Sequence, residues 1–184
     1  MNIDYSSATS ILTKSTILYT NNEIDRGIKK LAKQIESEID GDIPLFLTVM
    51  NGGIFFAAEL LKNLKTPFLC DYIHASRYGN ETFGSSHITW YRQPQAKDIV
   101  NRSIYIIDDI LDEGYTLAEI SRFIKDIGAK SCKLVVLIDK EIDKIKPVSA
   151  DYVAFRAPNQ YLFGYGMDIY GLYRQLPDVY VYKE

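Results

Sequence analysis

Between Glu23 and Ile39 the apolar residues Ile24, Ile28, Leu31, Ile35 and Ile39 recur at spacings of 4, 3, 4 and 4. That spacing draws one face of an α-helix, with Asn21 and Asn22 as candidate N-caps and Gly41 as the stop. The pattern then changes. Residues 43–50 (IPLFLTVM) are apolar almost throughout and end at Asn51-Gly52-Gly53, which predicts a buried strand. Residues 54–64 return to helical composition, and 67–75, 102–108 and 132–139 predict three further strands. Leu117, Ile120, Ile124 and Ile127 keep helical spacing until Gly128 ends the run. Strands without a polar face, separated by helical segments, imply a parallel sheet covered on both sides. The predicted class is α/β, doubly wound.

Two stretches break this rhythm. Residues 76–99 form a long polar and aromatic insertion containing Gly79, Gly84 and Pro94, and a loop of that length inside a compact domain is usually functional or mobile. From Pro158 onward the tail carries seven aromatic residues between Tyr161 and Tyr182, which predicts a small subdomain on one end of the sheet.

Composition narrows the class. A chain of 184 residues fills one core and is short for two ordinary domains. It is 47% hydrophobic and 24% charged, with no apolar run near the roughly 20 residues that span a bilayer. The first residues lack a basic start followed by an apolar core, so no signal or transit peptide is expected. Cys70 and Cys132 both sit in apolar runs and read as buried free thiols of a cytoplasmic protein. A net charge of −3 argues against nucleic acid as the main ligand, because counterion release needs clustered Lys and Arg. The small basic cluster KEIDKIK at 140–146 reads as a solvated loop.

The chemistry concentrates in SIYIIDDILDEGYTL, residues 103–117. Asp108, Asp109 and Asp112 fall within five positions at the end of a predicted strand, where ligands of open parallel sheets bind. One Asp serves as a helix cap or a turn residue. Three exceed what one helix start can use, and like charges repel, so a cationic or hydroxyl-rich ligand is implied. Asp112-Glu113-Gly114-Tyr115-Thr116 is a glycine turn entering a helix, whose backbone N–H groups and dipole make a phosphate cradle, with the Thr116 hydroxyl beside it. Carboxylates placed for ribose hydroxyls or hydrated Mg²⁺, next to such a cradle, fit a sugar phosphate.

The run IIDDILDEGYTL closely resembles the phosphoribosyl pyrophosphate motif of type I phosphoribosyltransferases, and other segments resemble the hypoxanthine-guanine branch. VMNGGIFFAAEL is similar to its first glycine loop, ASRYGNET to its mobile loop, LIDK to its purine-reading lysine segment, and DYVAFRAPNQYLFGYGMDIYGLYRQLP to its C-terminal hood. Five such motifs in order, from about Val49 to Pro177, are specific where one would be weak. The resemblance implies one phosphoribosyltransferase domain over 1–184, with a core at about 21–157, a hood at about 158–184 joined by N-terminal residues, and a mobile loop at 76–99. It also implies a homodimer or homotetramer.

The activity implied is transfer of phosphoribose from phosphoribosyl pyrophosphate to N9 of hypoxanthine or guanine, with Mg²⁺ as cofactor. By position, Asp108 and Asp109 would hold the ribose hydroxyls, and Asp112 would be the general acid/base at purine N7. Glu113, Gly114, Tyr115 and Thr116 would wrap the 5′-phosphate. Lys140 would donate to the 6-oxo group, Tyr161 would stack on the base and Leu162 would meet its edge. Asp168 would join Asp108 and Asp109 near Mg²⁺, and Arg174 would contact pyrophosphate. Asn51, Gly52 and Gly53 would form the first loop, with a cis peptide at Met50-Asn51, and Ser76, Arg77 and Tyr78 would begin the mobile one. Asn51, Glu113 and Tyr115 depart from the familiar pattern, and Arg77 stands where a serine is usual, restoring the charge that Asn51 lacks.

Two alternatives remain open on sequence alone: a xanthine-preferring transferase, and a nucleotide- or RNA-binding regulator on the same fold. His74 and His87 suggest no zinc site, since one ends a strand and the other lies in the long loop.

Overall fold

The structure, a computed structural model, describes residues 4–39, 41–77 and 88–183. Tyr78, His87 and the side chain of Arg77 lie outside the described residues. In chain order the elements are α1 (Tyr5–Thr13), β1 (Ser15–Tyr19), α2 (Asn21–Glu38), β2 (Leu45–Met50), α3 (Ile54–Lys62), β3 (Leu69–Arg77) and β4 (Ile88–Arg92). They continue with α4 (Ala96–Ile99), β5 (Ser103–Leu111), α5 (Tyr115–Ile127), β6 (Ser131–Glu141), β7 (Tyr152–Pro158), β8 (Tyr161–Phe163) and β9 (Val179–Tyr182).

Six strands form the main sheet in the order β4-β3-β2-β5-β6-β7, parallel except for the β3–β4 pair. Successive side chains of a strand point to opposite faces, so each apolar strand feeds two cores. Phe46, Tyr105, Ile107, Val135 and Leu137 pack with Ile24, Ile28, Leu31 and Ile35 of α2 and Phe56 and Leu60 of α3. Leu45, Leu47, Ile104, Ile106, Leu134 and Val136 pack on the other side with Leu117, Ile120 and Ile124 of α5. The doubly wound α/β class therefore follows from strands that are apolar on both faces. After β2 the chain adds β3 on one side and later β5 on the other, so the crevice between β2 and β5 is the point where strand order reverses. A second, three-stranded sheet has the order β1-β9-β8, all antiparallel.

Several expectations are corrected. The cap of α2 is Thr20 rather than Asn21 or Asn22, because Glu23 completes a reciprocal capping box: Thr20 Oγ1 accepts from the Glu23 N–H, and the Glu23 carboxylate accepts from the Thr20 N–H at 2.9 Å. Residues 88–92 and 96–99 are not loop: β4 pairs with β3, Trp90 packs on Phe123 at 4.9 Å between ring centroids, and Ile99 in α4 is fully buried. Cys70 is exposed and Cys132 half-buried, both free; the run around Cys70 is the open start of β3, where Leu69 is exposed too. Residues 140–146 are not a solvated loop throughout: the side chains of Lys140 and Lys146 are only 11% and 13% exposed. Among the described residues no helix is long and apolar enough to cross a membrane.

Candidate active site

Strand β5 runs to Leu111, three residues past the expected end, so Asp108 and Asp109 lie within it. Its pairing with β2 stops at Thr48↔Ile107, whereas its pairing with β6 continues to Leu111↔Asp139. Beyond Ile107 one edge of β5 is thus open to the crevice, and the two carboxylates stand there. An open cavity of about 530 Å³ fills this position. Of the residues the sequence singles out, Asn51, Gly52, Asp108, Asp109, Asp112, Lys140, Tyr161, Leu162, Asp168 and Arg174 line it, as do residues 113–116. Gly53 is not among the lining residues and lies against the backbone of Val49 and Ile107. Ser76 faces Tyr91 instead, its hydroxyl 3.4 Å from the Tyr91 hydroxyl.

Asp108 and Asp109 are the buried acids of the core. The Asp109 N–H donates to Asp108 Oδ1 at 2.9 Å. Burial, then the neighbouring charge of Asp109, pushes the Asp108 carboxyl well above the usual carboxylate range. Burial also raises Asp109, with the hydrogen bond to Asp108 and the positive Arg174 pulling the other way. Such a pair is costly to ionise unless something donates to it. The loop after β2, whose Met50-Asn51 peptide is cis, closes against this pair: a Cβ on Gly52 would lie 2.1 Å from Asp109 Oδ2 and would displace that carboxylate.

Asp112 leaves the strand for the turn and is half-exposed, and Lys140 Nζ reaches it from β6 at 3.0 Å to Oδ2. An acid and an ammonium therefore stand side by side on the cavity wall. Gly114 is the N-cap of α5 at φ +85°, and no side chain caps that helix start. A helix start of this kind presents backbone N–H groups that suit an anion. Glu113 turns toward Lys144, with 3.6 Å between Oε1 and Nζ, which takes its charge to the loop after β6.

The opposite wall comes from the small sheet and the turns that follow it. Arg174 Nη2 pairs with Asp168 Oδ1 at 2.5 Å, Arg174 Nη1 donates to the Gly166 carbonyl at 2.6 Å, and the Gly171 N–H donates to Asp168 Oδ2 at 2.7 Å. The Tyr161 hydroxyl reaches the Asp168 carbonyl at 3.3 Å while half the residue stays exposed. Tyr161 is thus a tethered ring with a free face.

Sequence reasoning missed Lys146. Its ammonium lies behind the site and donates to the Leu111 carbonyl at 2.7 Å, to Asp139 Oδ1 at 2.7 Å and to the Lys140 carbonyl at 2.5 Å. Nothing in KEIDKIK separates this lysine from its exposed neighbours.

For a divalent cation the donor set is suitable but partial. No group of three or more His, Cys, Asp or Glu among the described residues is arranged to hold a metal. Asp108 and Asp109 together offer hard oxygen donors in the crevice, which suits a cation that keeps waters and takes further oxygens from a phosphorylated ligand.

Comparison with known proteins gives the family and the fold. The profile described as the phosphoribosyl transferase domain matches residues 14–169. The chain is 34% identical over 167 residues to the hypoxanthine-guanine phosphoribosyltransferase of Bacillus subtilis, covering 91% of this chain and 92% of that protein. It is 35% identical over 167 residues to the bifunctional protein TilS/HprT of Listeria innocua, covering 91% of this chain but only 26% of that protein. The crystal structure of a hypoxanthine phosphoribosyltransferase from Staphylococcus aureus superposes with a TM-score of 0.87 at 26% identity, covering 98% of this chain and 97% of that one.

Proposed function

Because the chain belongs to the phosphoribosyltransferase family, we propose that it transfers phosphoribose from phosphoribosyl pyrophosphate to N9 of hypoxanthine or guanine, releasing pyrophosphate in purine salvage. The observation that carries the base assignment is the pair Lys140–Asp112 at 3.0 Å on the cavity wall. An ammonium donates only, so it favours a 6-oxo group and disfavours the 6-amino group of adenine. A carboxylate beside it takes the N7 proton as N9 gains its bond to C1′, and gives it back in the reverse reaction as that bond breaks. The two functions occupy neighbouring atoms of one 6-oxopurine.

The remaining residues divide the sugar phosphate between them. Asp108 and Asp109 accept hydrogen bonds from ribose hydroxyls, which favours their ionised form against the cost of burial. Their negative charge also lies where C1′ becomes cationic in the transition state. The α5 start, with Thr116, takes the 5′-phosphate through backbone N–H groups. Tyr161 stacks on the purine, Leu162 meets its edge, and Arg174 swings from Asp168 to pyrophosphate oxygens. Mg²⁺ would be held by Asp108 and Asp109 and, once Arg174 has left it, Asp168, together with substrate oxygens, and would supply charge neutralisation for the departing pyrophosphate. The three-stranded sheet acts as the hood over this site, and the working form is a homodimer or homotetramer.

The test is nucleotide formation from phosphoribosyl pyrophosphate and Mg²⁺ with hypoxanthine, guanine, xanthine and adenine in turn. Hypoxanthine and guanine should react and adenine should not. Turnover of adenine alone would remove the role of Lys140, and no turnover of any 6-oxopurine would remove the enzymatic reading.

A further inference from the structure

We propose that Lys146 is a positioning residue that fixes the spacing between Asp112 and Lys140; the inference rests on the purine roles assigned to those two side chains. The β5–β6 ladder ends at Leu111↔Asp139, and one further step of the same register sets Asp112 opposite Lys140. Both functional side chains therefore spring from the first pair beyond the ladder. Beyond Leu111 β5 has no ladder partner, whereas β6 stays paired with β7 through Glu141↔Pro158, so no backbone ladder holds Asp112 against Lys140. Lys146 supplies that link.

An ammonium has three N–H donors, and all three are used: on the carbonyl of Leu111, which precedes Asp112, on the carbonyl of Lys140 itself, and on the Asp139 carboxylate. The tripod thus ties the end of β5 to Asp139 and Lys140 of β6 through one nitrogen. Its side chain is 13% exposed, so water competes little for those donors. Lys144, in contrast, meets Glu113 at 3.6 Å with its own side chain 74% exposed, and adds little. The lysines of 140–146 accordingly do different work: Lys140 faces the cavity and Lys146 holds the backbone that aims it.

The test uses Lys146→Met combined with Asp139→Asn, so that the tripod is removed without stranding a partly buried carboxylate, and Lys146→Arg, which keeps the charge but not the three-way geometry. Steady-state kinetics should show kcat with hypoxanthine falling by about 10- to 100-fold and the hypoxanthine KM rising, while the KM for phosphoribosyl pyrophosphate is unchanged. Lys146→Arg should show the same split in weaker form. Hydrogen exchange should lose protection at 110–114 and 139–142 in both variants, with α2 unaffected. Unchanged protection at those strand ends, or equal changes in both KM values, would overturn the proposal. If the unaltered protein turns over no 6-oxopurine, the assigned function fails by itself, and the exchange measurement still decides whether Lys146 holds the two strand ends.

Discussion

Asp112 differs from Asp108 and Asp109 in what surrounds it, so the proposed mechanism gives the three carboxylates different chemistry. The latter two are buried against each other, whereas Asp112 is half-exposed beside an ammonium. Asp112→Asn keeps an oxygen for Lys140 but cannot exchange a proton, so kcat should fall by about 10²- to 10⁴-fold with the phosphoribosyl pyrophosphate KM unchanged. Steady-state kinetics with each substrate varied checks this, and an unaltered kcat would take the acid/base role from Asp112. Tyr161→Ala removes a ring face worth about 1–3 kcal/mol of stacking, so the purine KM should rise roughly 5- to 100-fold; Tyr161→Phe, which gives up only the bond to the Asp168 carbonyl, should stay near the original value. The acids were legible in the sequence because charge at the end of an apolar run demands a partner, whereas Lys140 was legible only through the resemblance of LIDK to the family's lysine segment. Lys146 was not, since its burial comes from the fold of the chain after β6 and leaves no mark on local composition.

Elements were legible where a regular period meets a definite stop. Helices α2 and α5 and strands β2 and β6 combine long apolar patterns with a cap or glycine. The small sheet was not read as strands: β8 has 3 residues, β9 has 4 and β1 has 5, too few for alternation to declare itself. The true end of β5 was hidden for another reason. Asp108 and Asp109 look like the polar stop of a strand, yet β6 continues to pair with β5 beyond them. At the α5 start the proposed phosphate site is made by the backbone itself, which makes Gly114 a sensitive position. A side chain at φ +85° costs about 1–2 kcal/mol, equivalent to a Tm drop of about 2–8 °C. Gly114→Ala should show that loss together with a raised phosphoribosyl pyrophosphate KM and an unchanged purine KM. Calorimetry and kinetics test the two parts separately, and a drop in Tm without any change in that KM would take the phosphate from this turn.

For the whole molecule, the buried acid pair ties stability to pH in a direction opposite to that of the surface carboxylates. Glu36, which accepts from the Thr66 and Lys65 N–H groups, and Asp42, which meets Lys130, are held below their ordinary values. Their contribution is present above the unfolded pKa and is lost as pH falls. Asp108 and Asp109 are raised, so the folded state binds their protons more tightly than the unfolded chain, whose aspartates titrate near 3.9. Their contribution is complete below about pH 3.9 and is lost as pH rises through the folded values. The ligand-free protein should therefore give up thermal stability on the alkaline side of its optimum. Asp108→Asn removes one of the two charges while its amide oxygen can still accept from the Asp109 N–H, so Tm should rise at pH 8 and converge with the unaltered protein in mild acid. Saturating phosphoribosyl pyrophosphate with Mg²⁺ favours the ionised pair, so its stabilisation of the unaltered protein should grow with pH and that of Asp108→Asn should be much smaller. Melting curves from pH 5 to 8, with and without the ligand, test this. Parallel curves for the two proteins would mean that the acid pair does not couple ribose binding to stability.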